Sequence, residues 1–296
     1  MTPTRPHIRR VPKRFRKRSA LIVLLIIVLL IAPVFLCGFY FVFAPPHTDI
    51  LVLGVDSREG EGWMARADSI ILVGIEPRWF RVAMMSIPRD LSIDVPGYGL
   101  QRVNTVNMLG EMEGAGGGPQ LMKSGIQHSF GVKPDRYVRL DFKGFVRLID
   151  AVGGITINVE RPIVDYNYPT EDLGVMTVQF DAGVQHMDGE RALIYARTRY
   201  ADDDYRRAER QQQVISALLG RLINPLHWPA VVGALSQAVD TDLTLWDMIV
   251  LAPPVVLGGS RAERLVIDRD YITATAEGVA IPDYARIAPW LDTYFD

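Results

Sequence analysis

The chain has 296 residues, 49% of them hydrophobic, which is enough for one substantial core or two small ones. The formal charge of −2 hides an asymmetry: Arg5, Arg9, Arg10, Lys13, Arg14, Arg16, Lys17 and Arg18 lie in an acid-free first 45 residues. The remainder, with 24 basic and 34 acidic residues, is acidic, which opposes general nucleic-acid binding through a basic face.

Residues 20–43 read "ALIVLLIIVLLIAPVFLCGFYFVF" and carry no charge. As a helix they would extend about 36 Å, enough to cross a hydrocarbon layer of about 30 Å. With its cations on the N-terminal side, the stretch predicts a signal-anchor with residues 1–19 cytoplasmic and the globular part extracytoplasmic, in the cell membrane. A cleaved signal peptide would have a shorter apolar region and a small-residue cleavage site; aromatics and Pro45-Pro46 follow instead. The sole cysteine, Cys37, lies in this stretch, so the outer part has no disulfide to form.

Residues 44–48 read as a linker to a single domain over 49–296. "DILVLGV" (49–55), "SIILVGI" (69–75) and "RVAMMSI" (81–87) are continuous apolar runs of strand length, as expected of strands covered on both faces. As an up-down-up meander they would gather Asp56, Asp68, Pro88, Arg89 and Asp90 at one end of the sheet. Glu113–Gln120 is a Gly-rich connector without the Lys-Ser/Thr ending of a phosphate loop. Further on the pattern predicts helices over 119–130, 143–154, from 189, 204–222 and 243–256, and a last one at the C-terminus. It predicts strands over 136–142, 155–160, 176–180 and 183–188, with a Tyr-rich loop at 165–170, and two short runs at 264–268 and 278–282. The expected fold is α/β: one three-layer domain, its mixed, largely antiparallel central sheet carrying helices on both faces.

The segment "YARTRYADDDYRRAERQQQ" (195–213) concentrates charge between apolar runs. On a helix, Asp204, Arg207 and Gln211 share the face of the stripe Val214–Leu218–Leu222, with Arg210 about 60° from Arg207, whereas Glu209 and Gln212 fall on the other side. Arginines turned toward a core need a partner, either acids of the same chain or an external anion held by guanidinium forks. The upstream Arg197 and Arg199, with Asp56, Asp68 and Arg89 converging from elsewhere, favour a phosphate or pyrophosphate with a divalent cation on carboxylate oxygens. Five scattered histidines show no zinc-ligand spacing, and neither a Gly-x-Ser-x-Gly elbow nor a cysteine outside the apolar stretch offers an acyl nucleophile.

"RAD" (66–68), "SIPRD" (86–90), "RVN" (102–104), "LIDAVGG" (148–154) and "ALIYARTRYADDDYRRAERQQ" (192–212) occur in that order. Together they resemble the LytR–CpsA–Psr family of bacterial envelope phosphotransferases, over residues 49–220. The resemblance implies transfer of an anionic glycopolymer from an undecaprenyl-pyrophosphate carrier to a peptidoglycan acceptor, with Mg²⁺ or Mn²⁺ as cofactor. It makes Asp56 and Asp68 the metal-linked acids, and Arg66, Arg89, Arg197, Arg199 and Arg207 the pyrophosphate-binding arginines. Asp204, Arg210 and Gln211 match its final motif, and Arg210 and Gln211 join the pyrophosphate-binding set. Asp68-Ser69 stands where the family has Asp-Thr, and Arg102-Val103-Asn104 where it has Lys-Ile-Asn. Arg89, Asp90, Asp204 and Arg207 are then the expected catalytic groups, with Asp204 or Asp90 accepting the proton of the incoming hydroxyl. A non-catalytic module that binds polyprenyl phosphate is the alternative reading. A DNA-binding regulator is opposed by the acidic domain and by the shortness of the 1–19 tail.

Overall fold

Strands β1 (Thr48–Val55), β2 (Ala67–Glu76) and β3 (Arg81–Ile87) pair antiparallel as the predicted meander. The short turn Pro77–Trp79 joins the last two. The computed structural model describes residues 29–57, 62–170, 174–198 and 204–295, in two compact units, Met1–Ala44 and Pro45–Asp296. In the first unit, residues 29–43 form a helix, α1; the predicted span's residues 20–28 lie outside the described residues. Among the described residues, no helix is long and apolar enough to cross a membrane.

In the second unit, β4 (Ser92–Val95) and β5 (Gly99–Arg102) form a hairpin after β3. Helices α2 (Val103–Glu113) and α3 (Gly117–Phe130) follow, then β6 (Arg136–Asp141), which runs parallel to β1. The chain continues through α4 (Phe142–Ala151), β7 (Ile155–Val159), β8 (Ile163–Pro169), β9 (Val175–Phe180), β10 (Gly183–Met187), α5 (Gly189–Arg197), α6 (Asp204–Arg221), α7 (Trp228–Ala238) and β11 (Val239–Thr241). It ends with α8 (Leu245–Gly258), β12 (Glu263–Val266), β13 (Ile272–Ala274), β14 (Ala280–Pro282) and α9 (Tyr284–Tyr294). The main sheet has the order β11-β6-β1-β2-β3-β12, with β12 parallel to β3. It is mixed, as expected, with helices on both faces.

The continuous apolarity of β1–β3 has the predicted cause. One set of side chains, including Leu51, Leu53, Ile70, Leu72 and Met85, packs with Val106 of α2, Met122 and Ile126 of α3, and Ile287 and Leu291 of α9. On the other face Ile50 and Ile75 pack with Val250 and Leu251 of α8, and Ile71 and Met84 approach Ile215 of α6. A second core joins Ile149 of α4, Ile155 and Ile157 of β7, Phe180 of β9, Tyr195 of α5 and Val214 of α6. Helix α6 is therefore a wall between the sheet and the second core.

Three local expectations change. Residues 165–170, read as a Tyr-rich loop, are mostly strand: β8 pairs with β9 across a bulge at Asp165/Tyr168. Tyr168 is buried there, so its aromaticity reflects packing rather than loop exposure. Helices α2 and α7 and the β4–β5 hairpin lie in stretches for which the sequence reading predicts no element. Gln212, expected to face away from the core, is 2% exposed. A single buried stripe was assumed for its helix; two cores flank α6, so two faces are buried, and Glu209 is left outside with Arg206 at 3.1 Å.

Candidate functional site

The register between β1 and β2 holds the key irregularity. Gly54 pairs with Ser69 and Val55 with Ala67, leaving Asp68 as the extra residue of a β-bulge. Ala67 and Ile70, three positions apart, consequently point into the same core cluster, which strict alternation forbids. Asp68 and Ser69 are turned to the α6 side. There Ser69 Oγ donates to Gln211 Oε1 at 3.0 Å, and Asp68 Oδ1 accepts from Arg89 Nη1 at 2.7 Å.

Arg89 follows β3 by two residues and is held by its surroundings. Its carbonyl accepts from the Asn104 amide at 3.2 Å, and the Val103 amide donates to the neighbouring Leu91 carbonyl at 2.8 Å. The "RVN" segment, at the start of α2, thus clamps the backbone of the "SIPRD" segment. Arg89 Nε also lies 3.5 Å from Asp90 Oδ2, on a carboxylate that is half exposed. Asp56 lies one residue beyond β1, and its amide donates to the Arg66 carbonyl at 3.2 Å, so these two residues face each other across the strand ends. The Arg66 side chain is exposed.

Helix α6 brings the second half. Arg207 is buried at 6% exposure, as the helical phase predicts, and Arg210, not assigned to that face, is buried too, at 4%. Arg210 Nε donates to the Tyr195 carbonyl at 3.1 Å and Nη2 to the Thr198 carbonyl at 2.5 Å. It therefore ties the C-terminal end of α5, satisfying carbonyls that a helix end leaves without partners. Gln212 Nε2 donates to Ser86 Oγ at 2.8 Å and to the Leu265 carbonyl at 3.1 Å. Adjacent glutamines thus pin α6 to β2 through Ser69 and to β3 and β12 through Ser86 and Leu265.

Arg197, the last residue of α5, is placed by aromatics. Its guanidinium lies 4.0 Å from the Phe142 ring centroid and donates to Tyr168 Oη at 3.4 Å. Burial raises the Tyr168 hydroxyl above the usual tyrosine range, and the Arg197 cation opposes that rise without cancelling it. Phe142 immediately follows Asp141, which pairs in register with Val55 at the end of β1. Arg197 therefore belongs to the same end of the sheet as Asp56, Asp68 and Arg89. Arg199 and the Asp204 side chain lie outside what is described.

Sequence reasoning missed Phe142, Tyr168, Ser86 and Gln212. Ser86 and Gln212 stood inside quoted motifs, and only the one-stripe assumption hid their contact. Nothing in the sequence announces Phe142 and Tyr168 as a platform for Arg197. Two further polar atoms, Asn104 Oδ1 and Thr198 Oγ1, are buried with no hydrogen-bond partner among the described residues.

No group of three or more histidine, cysteine, aspartate or glutamate side chains suited to a metal is assembled among the described residues. Asp56 and Asp68 nonetheless fit a hard divalent cation in donor chemistry, both being carboxylates at adjoining strand ends.

Residues 45–262 match the LytR_cpsA_psr family. The chain belongs to that family. It is 36% identical over 173 residues to the polyisoprenyl-teichoic acid–peptidoglycan teichoic acid transferase TagU of Oceanobacillus iheyensis, covering 58% of this chain and 50% of that protein. It is 33% identical over 200 residues to the regulatory protein MsrR of Staphylococcus aureus, covering 66% of this chain and 56% of that one. This LytR_cpsA_psr chain thus spans about half the length of the curated relatives it matches. Its fold is that of the crystal structure of B. subtilis TagV, with a TM-score of 0.67 at 24% identity over 84% of this chain and 95% of that one. TagT bound to LIIa-WTA superposes with a TM-score of 0.64 at 23% identity, over 84% and 91% of the chains.

Arg210→Ala in this family member is expected to leave the Tyr195 and Thr198 carbonyls short of partners and to lower stability by about 1–3 kcal/mol. Urea unfolding followed by circular dichroism checks this; an unchanged midpoint would remove Arg210 from the helix-end role.

Proposed function

We propose that this protein is a membrane-anchored phosphotransferase that moves an anionic glycopolymer from an undecaprenyl-pyrophosphate carrier to peptidoglycan. One observation supports the reading: Arg89 on the bulge carboxylate Asp68 and the ring-backed Arg197 stand at one end of the sheet, and Gln211 of α6 is joined to the same bulge through Ser69. Cations held on rigid strands and helices suit a pyrophosphate, because phosphoryl transfer depends on positioning and charge neutralisation. Family membership and the transferase name of the TagU relative support the same chemistry.

Family membership and the arrangement at the sheet end support the following roles. Arg89 would bind one phosphate oxygen from a guanidinium already oriented by Asp68, and Arg197 a second from its aromatic seat. Arg66, exposed at the rim, Arg199 and Arg207 would complete the anion set. Gln211, fixed by Ser69, and Arg210 hold α6 and the end of α5 in register. Asp56 and Asp68 would hold Mg²⁺ or Mn²⁺, which when bound supplies charge neutralisation at the pyrophosphate. Asp90, half exposed beside Arg89, or Asp204 would accept the proton of the attacking hydroxyl. The anchor is residues 20–43, with the domain extracytoplasmic.

The deciding experiment is mass spectrometry of lipid co-purifying with the full chain, followed by incubation with a pyrophosphate-linked glycopolymer, peptidoglycan and Mg²⁺. Polyprenyl phosphate retained and polymer transferred support the proposal. Lipid retained without turnover would leave a binding module, and neither result would overturn both.

A further inference from the structure

Helix α8, Leu245–Gly258, reads LWDMIVLAPPVVLG, and Asp247 is its one polar side chain. That carboxylate is spent within the fold, accepting from Arg136 Nε at 2.8 Å and completing the capping box with Thr244. Val250 and Leu251 pack on the sheet. Away from these the helix is apolar too and partly open: Leu245 is 77% exposed and Ile249 65%, Trp246 and Leu257 are exposed nearer the packed side, and Met248, Ala252 and Val256 are half-buried. A helix that is hydrophobic all round belongs in an apolar medium, and among the described residues protein buries only one side of this one fully.

Its place in the fold indicates the medium. Arg136 begins β6 opposite Ile50, near the start of β1. At the other end of α8, a Cβ on Gly258 would lie 2.2 Å from the Phe80 carbonyl, so the last turn abuts the β2–β3 connection. That connection carries Trp79, 75% exposed, at the same end of the sheet as Thr48. Helix α8 thus crosses the sheet where the chain enters the domain, and the phosphate-binding end is a β1 length away, about 25 Å. The uncharged stretch 20–43 ends a few residues before Thr48. Arg78 and Arg261, both exposed, flank the apolar face. At 14 residues α8 is about 21 Å long, too short to span about 30 Å of hydrocarbon but suited to lying in its surface.

We infer that the outer face of α8, together with Trp79, is immersed in the headgroup boundary of the bilayer, as a second membrane contact besides the anchor proposed above. Tryptophans near both ends of the face and flanking arginines are the composition that such a boundary selects. The inference rests on the anchored reading for the side of the membrane, but its test is separate.

Full-length protein with Cys37→Ser and Ile249→Cys, spin-labelled and reconstituted in phosphatidylcholine–phosphatidylglycerol vesicles, reads the depth of α8. A label at Glu209→Cys, exposed on α6, is the aqueous control. The expected result is loss of broadening by a water-soluble nickel chelate and gain of oxygen collisions at 249 but not at 209. Unlabelled protein should show quenching of Trp79 and Trp246 by brominated lipid. Carbonate washing separates the two contacts. A chain that resists carbonate while position 249 stays aqueous overturns the α8 inference alone. A chain released by carbonate, yet bound with 249 immersed at neutral pH, overturns the anchor alone; no membrane binding at all overturns both. Protection from nickel without oxygen gain, accompanied by spin–spin broadening, would mean that a second copy covers the face and would overturn the inference.

Discussion

Replacing Arg89 with alanine is expected to reduce the proposed glycopolymer transfer by about 10²–10³-fold while the domain stays folded. The guanidinium is already oriented, by Asp68 at 2.7 Å and by the Asn104 amide on the residue's own carbonyl. Such a group would stabilise developing charge without reorganising. Its ion pairs are partly exposed, so the loss of stability should be no more than about 1 kcal/mol. Arg89→Lys keeps the charge but loses the fork that spans Asp68 and an oxyanion together, and should recover activity only in part. The measurement is the rate of polymer transfer in the purified protein beside its thermal unfolding curve. Full activity in Arg89→Ala would remove the site from this end of the sheet.

The second large effect is on stability. Arg139 is fully buried in β6, where it donates to Glu111 at 2.6 Å, to Asn107 Oδ1 at 3.0 Å, and to Asp240 with two nitrogens at 3.0 and 2.7 Å. Its guanidinium also lies 4.6 Å from the Trp63 ring centroid. Arg139→Met leaves a buried Glu111 without its cation and should destabilise the domain by about 3–5 kcal/mol. Adding Glu111→Leu should restore much of that, because an apolar pair of similar volume avoids the desolvation penalty. Denaturant midpoints of the two variants decide it; equal midpoints would show that Arg139 packs rather than pairs.

The same pair sets a pH dependence. Burial pushes the Glu111 carboxyl up, but the Arg139 hydrogen bond and the Gly116 and Gly118 amides outweigh it and hold the group below the usual glutamate range. The folded value being the lower one, this stabilisation is complete above the unfolded value of about 4.3 and fades as pH falls through the folded value. Unfolding midpoints of the wild-type protein should therefore drop more steeply below about pH 4 than those of the Arg139→Met, Glu111→Leu variant.

Much of this was legible beforehand. The meander followed from three apolar runs and a short turn, and it placed Asp56, Asp68 and Arg89 at one sheet end. Helical phase buried Arg207, because a guanidinium within a stripe of valine and leucine has nowhere else to go. What stayed hidden depends on neighbours remote in sequence. Gln212 looks solvent-facing until β3 and β12 are laid against its side of α6. Arg139 alternates like any strand residue, and only the packing of α2 with Glu111 and the return of β11 with Asp240 explain a charge in the core. Tyr168 looked like loop composition, although it pairs in a strand and carries Arg197.

The bulge at Asp68 lets one strand serve two masters. Shortening the chain by a single residue at Ala67 would keep every later apolar residue of β2 in step with β1, and the core would change only opposite Val55. Asp68 would then take the place opposite Val55 and point its carboxylate into hydrocarbon. The spare residue works as a gear offset: the packing of the sheet and the presentation of the acid can each be altered in a redesign without retuning the other.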